Sequence, residues 1–471
     1  MTDYGPSDSD SRDNSFSMTT VATPAAKTGM TAKAAGPEKV IRNGTVEDVE
    51  SSPDEGWNFH AMSFYQILLR TGWIFKTESL VMPAVLDMIG GSAWLRGCLP
   101  MLNRFGQSVP PMMAAGHVGN SRMKKRWLVG TTGLMGLIFL ALAVLWQWTG
   151  TISATWMSLA VLVLYAVFFA STGVNQLVVS SLQGKLIPIL RRGELMTFSS
   201  LIGSAVAVFC AWMLLRRWMS GDTADFTSIF MFTGVLFIAA TVAAMLFREK
   251  DDVYSPTKFS FRALATDTVS VLRNDPEFRL VALCAGLFGM MMTLFPHYQA
   301  VARTRLDLDM GSLVPWIIAQ NLGVALFSIP VGWLTDRFGN RLALRFVMFG
   351  LCLVPVLALG ISRIENASEH WFLIVFGLLG LTPVTMRTFN NYTLEMAERQ
   401  HQPRYLSILS LLMAGPAIVA SVAVGLLIDY FGYELTFILV TACQIGGFLM
   451  TFWLVEPRHK GRKMRENVAV R

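Results

Sequence analysis

The sequence predicts an all-α, polytopic membrane protein of about twelve transmembrane helices, arranged as two parallel six-helix repeats. Hydrophobic residues make up 53% of the 471 residues and charged residues only 15%, which is more apolar surface than one soluble core of this size needs. From about residue 63 onward, apolar runs of 20 to 26 residues recur, each long enough to cross roughly 30 Å of hydrocarbon. Strand-like alternation is absent, which excludes a transmembrane β-barrel.

The chain divides into five predicted segments. Residues 1–62 are rich in Ser, Thr, Asp, Gly and Pro, so we expect a disordered cytoplasmic tail. An N-terminal six-helix bundle at 63–247 and a C-terminal one at 278–456 are joined by a cytoplasmic linker at 248–277, and a basic cytoplasmic tail follows at 457–471. One helical face of the linker predicts an interfacial amphipathic helix; it carries Phe261, Leu264, Ala265, Thr268 and Leu272.

The predicted spans determine an orientation. They cover residues 65–89, 93–119, 127–148, 153–181, 195–217, 226–247, 278–302, 313–335, 342–362, 371–396, 405–430 and 434–455. One side of this arrangement holds 24 Lys and Arg residues and the other holds five. Because cytoplasmic loops carry the excess of Lys and Arg, we expect both termini in the cytoplasm and the protein in the cell membrane.

The two halves repeat each other in sequence. The segment GHVGNSRMKKR at 116–126 corresponds to GWLTDRFGNR at 332–341, at an offset of 216 residues. Asn175 and Gln176 correspond to Asn390 and Asn391, at an offset of 215. Since each half has an even number of helices, both halves enter the membrane from the same side, and the repeats are parallel.

The second of these segments resembles a known family signature. GWLTDRFGNR is similar to G-x-x-x-D-R-x-G-R-R/K, the loop between the second and third helix of a half in the major facilitator superfamily. The matching residues are Gly332, Asp336, Arg337, Gly339 and Arg341. Asn340 departs from the pattern, and the loop of the first half is degenerate at Asn120, Ser121 and Met123. The segments at 182–195 and 391–406 also resemble the ends of the fourth and tenth helices in bacterial members.

The signature residues form the predicted gating loop. Asp336 can accept hydrogen bonds from a neighbouring helix N-terminus, while Arg337 and Arg341 can anchor to anionic headgroups and join one helix pair to another. Such a contact is made in one conformation of the transporter and broken in the other. The alternative is a turn that merely obeys the positive-inside rule.

Ionised side chains near the bilayer centre are the candidate functional residues, because each costs roughly 2.5 to 3.5 kcal/mol there unless it faces a cavity or a partner. Lys76 and Glu78 lie near the middle of the first span, Arg104 lies in the second and Arg387 in the tenth. Two residues apart on a helix is about 200°, so Lys76 and Glu78 point to opposite sides unless the helix is locally unwound.

The helices recur in both halves, but these charges do not. The positions equivalent to Lys76, Glu78 and Arg104 in the second half, and to Arg387 in the first, carry no charge; they are Met292, Leu294, Gln320 and Thr172. A residue that only held the halves in shape would recur in both. The asymmetry therefore favours a role in handling substrate or ions.

The family resemblance implies a central cavity lined by the first, fourth, seventh and tenth helices. Here those helices carry Lys76 and Glu78, Asn175 and Gln176, His297, and Arg387 with Asn390 and Asn391. His297 is also explained by simple packing. Tyr298, Gln299, Gln320 and Asn321 are candidates either for hydrogen bonds to a ligand or for contacts between helices.

The predicted function is secondary active transport of a small solute by alternating access. Glu78, the carboxylate near the midplane, is the candidate for proton coupling. Lys76, Arg104 and Arg387 outnumber it, which favours an organic anion as substrate. The alternative is an internal network in which these charges neutralise one another.

Two other functions remain open in the sequence: a drug or metabolite exporter of the same fold, and a receptor or scaffold that does not transport. The sequence contains no H-E-x-x-H, G-x-S-x-G or Walker A motif, so we expect neither an enzyme nor an ATP-driven pump. The five cysteines are scattered one per apolar segment, so we expect no metal site and no cofactor. The expected partners are a small substrate, a coupling ion and the lipid bilayer, without nucleic acid, for a protein that is a monomer.

Overall fold

The computed structural model describes residues 38–42, 45–49, 53–219, 224–251, 261–365, 367–398 and 401–456. The chain forms two units, Met1–Ser52 and Pro53–Arg471. In the first unit, β1 (Glu38–Arg42) pairs antiparallel with β2 (Thr45–Val49). The rest of the predicted N-terminal tail up to residue 52, and the whole predicted basic tail from 457, lie outside the described residues.

The second unit is built from α-helices, which confirms the predicted fold class. They are α1 (Pro53–Ile74), α2 (Val81–Ile89), α3 (Ala93–Gly119), α4 (Lys124–Trp146), α5 (Ala154–Leu186), α6 (Ile189–Cys210), α7 (Arg216–Trp218), α8 (Phe226–Met245), α9 (Phe261–Asn274), α10 (Pro276–Met291), α11 (Phe295–Leu306), α12 (Leu313–Phe338), α13 (Asn340–Ile361), α14 (Phe372–Leu379), α15 (Leu381–Met396) and α16 (Gln402–Met450). A π-helical turn at Ala211–Leu215 connects α6 to α7, and short 3-10 turns cover Met292–Leu294, Met310–Ser312 and Glu369–Trp371.

The predicted boundary between tail and membrane domain is wrong by about ten residues. Helix α1 begins at Pro53, whereas the sequence was expected to stay disordered to residue 62. The extra turns are ordered by packing and hydrogen bonding. Phe59 and Met62 are buried, and the Asn58 side chain donates to the carbonyl of Arg248 at 2.9 Å while accepting from its backbone N–H at 2.8 Å.

By length and hydropathy, nine helical stretches in the described part of the chain can cross a membrane. The last of them, Arg404–Met450, holds two predicted spans, which are separated by Gly432 in a left-handed conformation (φ 79°). The first two predicted spans are not among the nine, because a break interrupts the first and α3 carries many polar residues. Each of the twelve predicted spans nevertheless coincides with helix in the structure.

Two spans are broken at equivalent positions of the repeat. The first span unwinds between α1 and α2 at residues 75–80, and the seventh narrows to a 3-10 turn at Met292–Leu294, 216 residues after Lys76 and Glu78. In each case the helix after the break has a proline in its first turn, Pro83 in α2 and Pro296 in α11. Proline is tolerated there because the first-turn N–H groups have no partner within the helix.

Glycines bring the two halves into backbone contact along α3 and α16. A Cβ atom built on Gly97 would lie 2.4 Å from the Ser421 carbonyl oxygen, and one on Gly425 would lie 2.5 Å from the Ala93 carbonyl oxygen. Only glycine permits this approach, and small residues of this kind are typical of closely packed membrane helices.

The gating loop joins elements of its own half. The Glu456 carboxylate accepts from the backbone N–H of Arg341 at 3.0 Å, at the N-terminus of α13. Glu249 plays the same part in the first half, accepting from the N–H groups of Lys124 at 3.1 Å and Lys125 at 2.7 Å, at the start of α4. These carboxylates follow the sixth helix of each half and complement the positive end of the third.

The other members of the loop are placed as follows. Gly332 and Asp336 are exposed, and the Arg337 guanidinium lies 5.6 Å from the ring centroid of Trp333. Gly339 has φ 93°, and a Cβ there would lie 2.4 Å from the Glu456 carboxyl carbon. The predicted roles of Arg337 and Arg341, anchoring to headgroups and joining one helix pair to another as the conformation changes, stay predictions.

We therefore expect Gly339→Ala to lower the free energy of unfolding by about 1–3 kcal/mol, because a side chain at positive φ is strained and displaces the Glu456 carboxylate. Thermal unfolding in detergent measures this effect. Gly332→Ala is the matched control, since a Cβ there meets no atom within 4 Å. Equal melting temperatures for the two variants would contradict the expectation.

Candidate functional site

The candidate site is a cavity of about 650 Å³ between the two halves. We call the side of the membrane unit at which α1 begins the proximal side, and the opposite side the distal side. The cavity is lined by residues Gln66, Leu69, Arg70, Trp73, Ile74, Lys76, Thr77, Glu78, Ser79, Asn103, Arg104, Gln107, Met135, Thr172, Asn175, Gln176, Phe295, Gln320, Asn321, Val324, Thr382, Pro383, Met386 and Arg387. It runs from the break in the first span toward the proximal side.

The structure brings seven of the ten predicted site residues to this cavity. They are Lys76, Glu78, Arg104, Asn175, Gln176, Gln320 and Arg387. The remaining three do not line it. Asn390 and Asn391 lie about one turn beyond Arg387 on α15, and His297 is fully buried on α11.

The break in the first span changes the geometry of Lys76 and Glu78. Because residues 75–80 are not helical, the two side chains no longer have to point in opposite directions. Both line the cavity, and their charges interact electrostatically with each other and with Arg104.

Lys76 lies in an aromatic pocket. Its side chain is 2% exposed, and Nζ lies 3.3 Å from the ring centroid of Trp73, 4.2 Å from that of Phe169 and 5.1 Å from that of Phe168. A cation over aromatic faces at these distances is stabilised by the ring quadrupoles, most strongly when water is excluded. No carboxylate of the described residues lies within ion-pairing distance of Nζ, so this pocket takes the place of a counter-ion.

Glu78 is positioned by two amides on α3 that the sequence analysis did not select. Asn103 Nδ2 donates a hydrogen bond to the Glu78 carboxylate, and Gln107 Nε2 donates to Asn103 Oδ1. The spacing of four residues places both amides on one face of α3. The sequence signal that could have identified these two amides is their spacing of four residues and the position of Asn103 directly before Arg104.

The broken segment also joins the two halves. Ser79 Oγ donates to Gln320 Oε1 on α12 at 2.7 Å. Gln320 is the repeat counterpart of Arg104, so the position that carries a charge in one half carries an amide in the other. Of the two predicted roles for Gln320, the structure shows the contact between helices.

Arginines provide most of the cavity charge. Arg104 has a buried Nε with no hydrogen-bond partner among the described residues, and Glu78 is its nearest opposite charge. Arg70 on α1 and Arg387 on α15 line the cavity from opposite halves, close enough for their charges to repel. Arg70 was not among the predicted site residues, and the structure places it in the cavity lining.

Comparisons with known proteins agree with this architecture. The model of the Major Facilitator Superfamily matches residues 310–469. A mutant form of the nucleoside transporter NupG is 9% identical with a TM-score of 0.66, covering 85% of this chain and 99% of that one. A POT family transporter in complex with 5-aminolevulinic acid is 12% identical with a TM-score of 0.63, and the match covers 85% of this chain and 96% of that one. A D-xylose–proton symporter is 13% identical with a TM-score of 0.60, and the match covers 86% of this chain and 99% of that one. Among curated proteins, no sequence matches significantly.

The chain resembles the transporters of the Major Facilitator Superfamily in two respects. Its C-terminal half matches the family in sequence, and the structural matches show the same fold over both halves.

Within the cavity wall, Asn175 is occupied by structural hydrogen bonds. Its Oδ1 accepts from the Tyr65 hydroxyl at 3.0 Å, and its Nδ2 contacts the hydroxyls of Thr131 at 3.1 Å and Thr132 at 2.8 Å. The amide therefore ties α5 to α1 and α4. Gln176, the next residue, is exposed and faces the cavity.

At the distal side, polar contacts hold the two halves of the membrane unit together. Asp87, at the end of the first span, pairs with Arg96, accepts from Gln299 Nε2 at 2.9 Å and lies 3.9 Å from Arg303. Asp429 accepts from the first N–H groups of α3 at 2.8 and 3.0 Å. Because these contacts lie beyond the break, the cavity is closed distally.

His297 and Tyr298 belong to this packed region. Both are 0% exposed, and neither the His297 ring nitrogens nor the Tyr298 hydroxyl has a hydrogen-bond partner among the described residues. His297 therefore does not face a substrate in this conformation, which differs from the role that its helix suggested.

We expect Lys76→Met to leave the folded protein as stable as the wild type, or up to about 2 kcal/mol more stable, because a buried ammonium loses its hydration. If the aromatic pocket holds the cation, Trp73→Leu costs about 1–2 kcal/mol more in wild type than in the Lys76→Met background. Thermal unfolding of the four proteins measures this coupling. A coupling of zero would show that Trp73 only fills space.

Proposed function

We propose that the transporter moves a small organic anion by alternating access and couples this movement to protons at Glu78. The observation that carries the proposal is the charge of the cavity. Its described lining holds four cationic side chains, Arg70, Lys76, Arg104 and Arg387, and one carboxylate.

An excess of cations in a low-dielectric cavity favours an anionic ligand. Lys76 is stabilised by aromatic rings and does not need an added counter-ion. The three arginines are different, since one carboxylate cannot neutralise them and a guanidinium pairs well with the planar oxygens of a carboxylate or the oxygens of a phosphate. The polar and apolar lining residues fit the remainder of a small organic molecule.

Glu78 is the proposed coupling residue because its charge affects both Lys76 and Arg104. Protonation of Glu78 removes the negative charge closest to these cations, so the cavity becomes more attractive to an anion. Loss of the proton restores this negative charge and weakens anion binding. A single carboxylate can thereby link the occupancy of the proton site to that of the anion site.

The membrane and the orientation are part of the proposal. The positive-inside count supports a cell membrane with the proximal side in the cytoplasm. In that orientation, the cavity of this conformation faces inward. The alternative functions, an exporter and a non-transporting receptor, share this geometry; the first experiment below separates the receptor from a transporter.

The first experiment tests the anion. Counterflow in proteoliposomes is measured with benzoate, succinate, phenyl phosphate and, as neutral and cationic comparisons, glucose and choline. We expect counterflow with at least one anion and a loss of about 10- to 100-fold in its apparent affinity in Arg104→Gln, because a charged hydrogen bond is removed. Arg217→Gln, at an exposed distal position, is the control. Counterflow with glucose or choline alone would refute the anion proposal, and no counterflow at all would favour the receptor.

The second experiment tests the coupling. With a pH gradient imposed across the liposomes, wild-type uptake is expected to follow the gradient. Glu78→Gln keeps a hydrogen-bond acceptor for Asn103 but has no titratable proton, so we expect counterflow to persist while gradient-driven uptake falls at least about tenfold. Glu365→Gln, in an exposed distal loop, is the matched control. Undiminished gradient-driven uptake in Glu78→Gln would place the coupling elsewhere.

A further inference from the structure

The cavity contains a pair of like charges that come from different halves of the transporter. Arg70 is on α1 and Arg387 is on α15, and both line the proximal part of the cavity. Arg387 is exposed to the cavity and Arg70 is partly exposed. No carboxylate of the described residues lies within ion-pairing distance of either guanidinium, whereas Arg104 interacts electrostatically with the Glu78 carboxylate.

Two guanidinium groups facing each other across an opening oppose its closure. Their repulsion grows as the distance shrinks and as water leaves, because the effective dielectric constant falls. In alternating access, the proximal ends of the two halves must approach each other when the cavity opens distally. In the empty transporter, this approach brings Arg70 and Arg387 together without a charge between them.

We propose that Arg70 and Arg387 form an electrostatic switch, in which an oxyanion of the substrate bridges the two guanidiniums and permits the proximal side to close. This inference rests on the proposed anion transport and names the group that is recognised: a carboxylate or phosphate with at least two oxygens, each of which accepts from one arginine. A neutral solute cannot supply the bridge.

The switch has a consequence for transport. When the anion is absent, the repulsion disfavours closure, so the empty transporter returns slowly and exchange of one anion for another is faster than net movement. Arg104 and Lys76 hold charges deeper in the cavity and do not oppose closure in this way, because both come from the N-terminal half.

A charge-reversal cycle tests the switch. Spin labels are placed at Ser180 on α5 and Asn391 on α15, each one turn proximal to the cavity residues Gln176 and Arg387 on the same helix face. Their distance distribution is measured by pulsed electron paramagnetic resonance without ligand and with benzoate, succinate or phenyl phosphate. In the otherwise wild-type protein we expect a long distance without ligand and a shorter one with the anions that give counterflow.

Arg387→Glu converts the repulsion to attraction, so we expect the short distance without any anion, with the ratio of closed to open populations raised about tenfold or more. Arg70→Glu should act likewise. The double variant Arg70→Glu/Arg387→Glu restores repulsion with the opposite sign, so the long distance returns and anions no longer shorten it. Arg217→Glu, a distal charge reversal, is the control and leaves the distribution unchanged.

The outcomes separate this inference from the proposed function. An unchanged distribution in Arg387→Glu, or a double variant that stays closed, would overturn the switch even if anion counterflow is intact. Conversely, if no anion gives counterflow but the charge-reversal cycle behaves as described, the electrostatic opposition stands and the anionic substrate falls. Elution of each variant as a single peak in size-exclusion chromatography establishes that it is folded.

Discussion

A break in a membrane helix leaves backbone groups without partners in a solvent that offers none. The rest of the site depends on how residues 75–80 meet this constraint. Thr77 accepts from the Val81 N–H through its side chain at 3.3 Å and from the Met82 N–H through its carbonyl at 3.1 Å. These two hydrogen bonds satisfy N–H groups in the first turn of α2. The side chains of Glu78 and Ser79 make other contacts, Glu78 with Asn103 on α3 and Ser79 with Gln320 on α12.

The repeat distributes scaffold and chemistry differently. The helix break, the carboxylate at the start of the third helix and the six-helix bundle itself occur in both halves, because the helices of the two halves pack in the same way. The deep charges occur only in the first half, on the broken span and on α3. The C-terminal half contributes one arginine, Arg387, and two amides, Gln320 and Asn321, to the cavity. An asymmetric ligand can therefore bind in a nearly symmetric scaffold.

The sequence was sufficient to predict the helices, the repeat and most of the cavity. The helices and their orientation follow from the lengths of the apolar runs and the distribution of charge, which are local properties of the sequence. Burying Arg104 or Arg387 in lipid is costly, so these residues indicate a cavity even when its shape is unknown. Arg70 was not predicted as a site residue, because nothing in the sequence shows that the cavity extends to its turn of α1. Asn175 was predicted to bind a ligand through its amide. The amide instead makes hydrogen bonds with Tyr65 and Thr132, and these residues come close to it only when α1 and α4 pack against α5.

The approach of α3 to α16 has a mechanical meaning for the distal side. At Gly97 and Gly425 the backbone of one helix lies directly against the backbone of the other. A smooth contact of this kind can roll or slide with little change of rotamers, so its resistance to motion is small compared with that of interdigitated helices. The resistance to opening at the distal side therefore comes from the hydrogen bonds and ion pairs of Asp87 and Asp429. The glycine contact permits the two halves to rotate relative to each other.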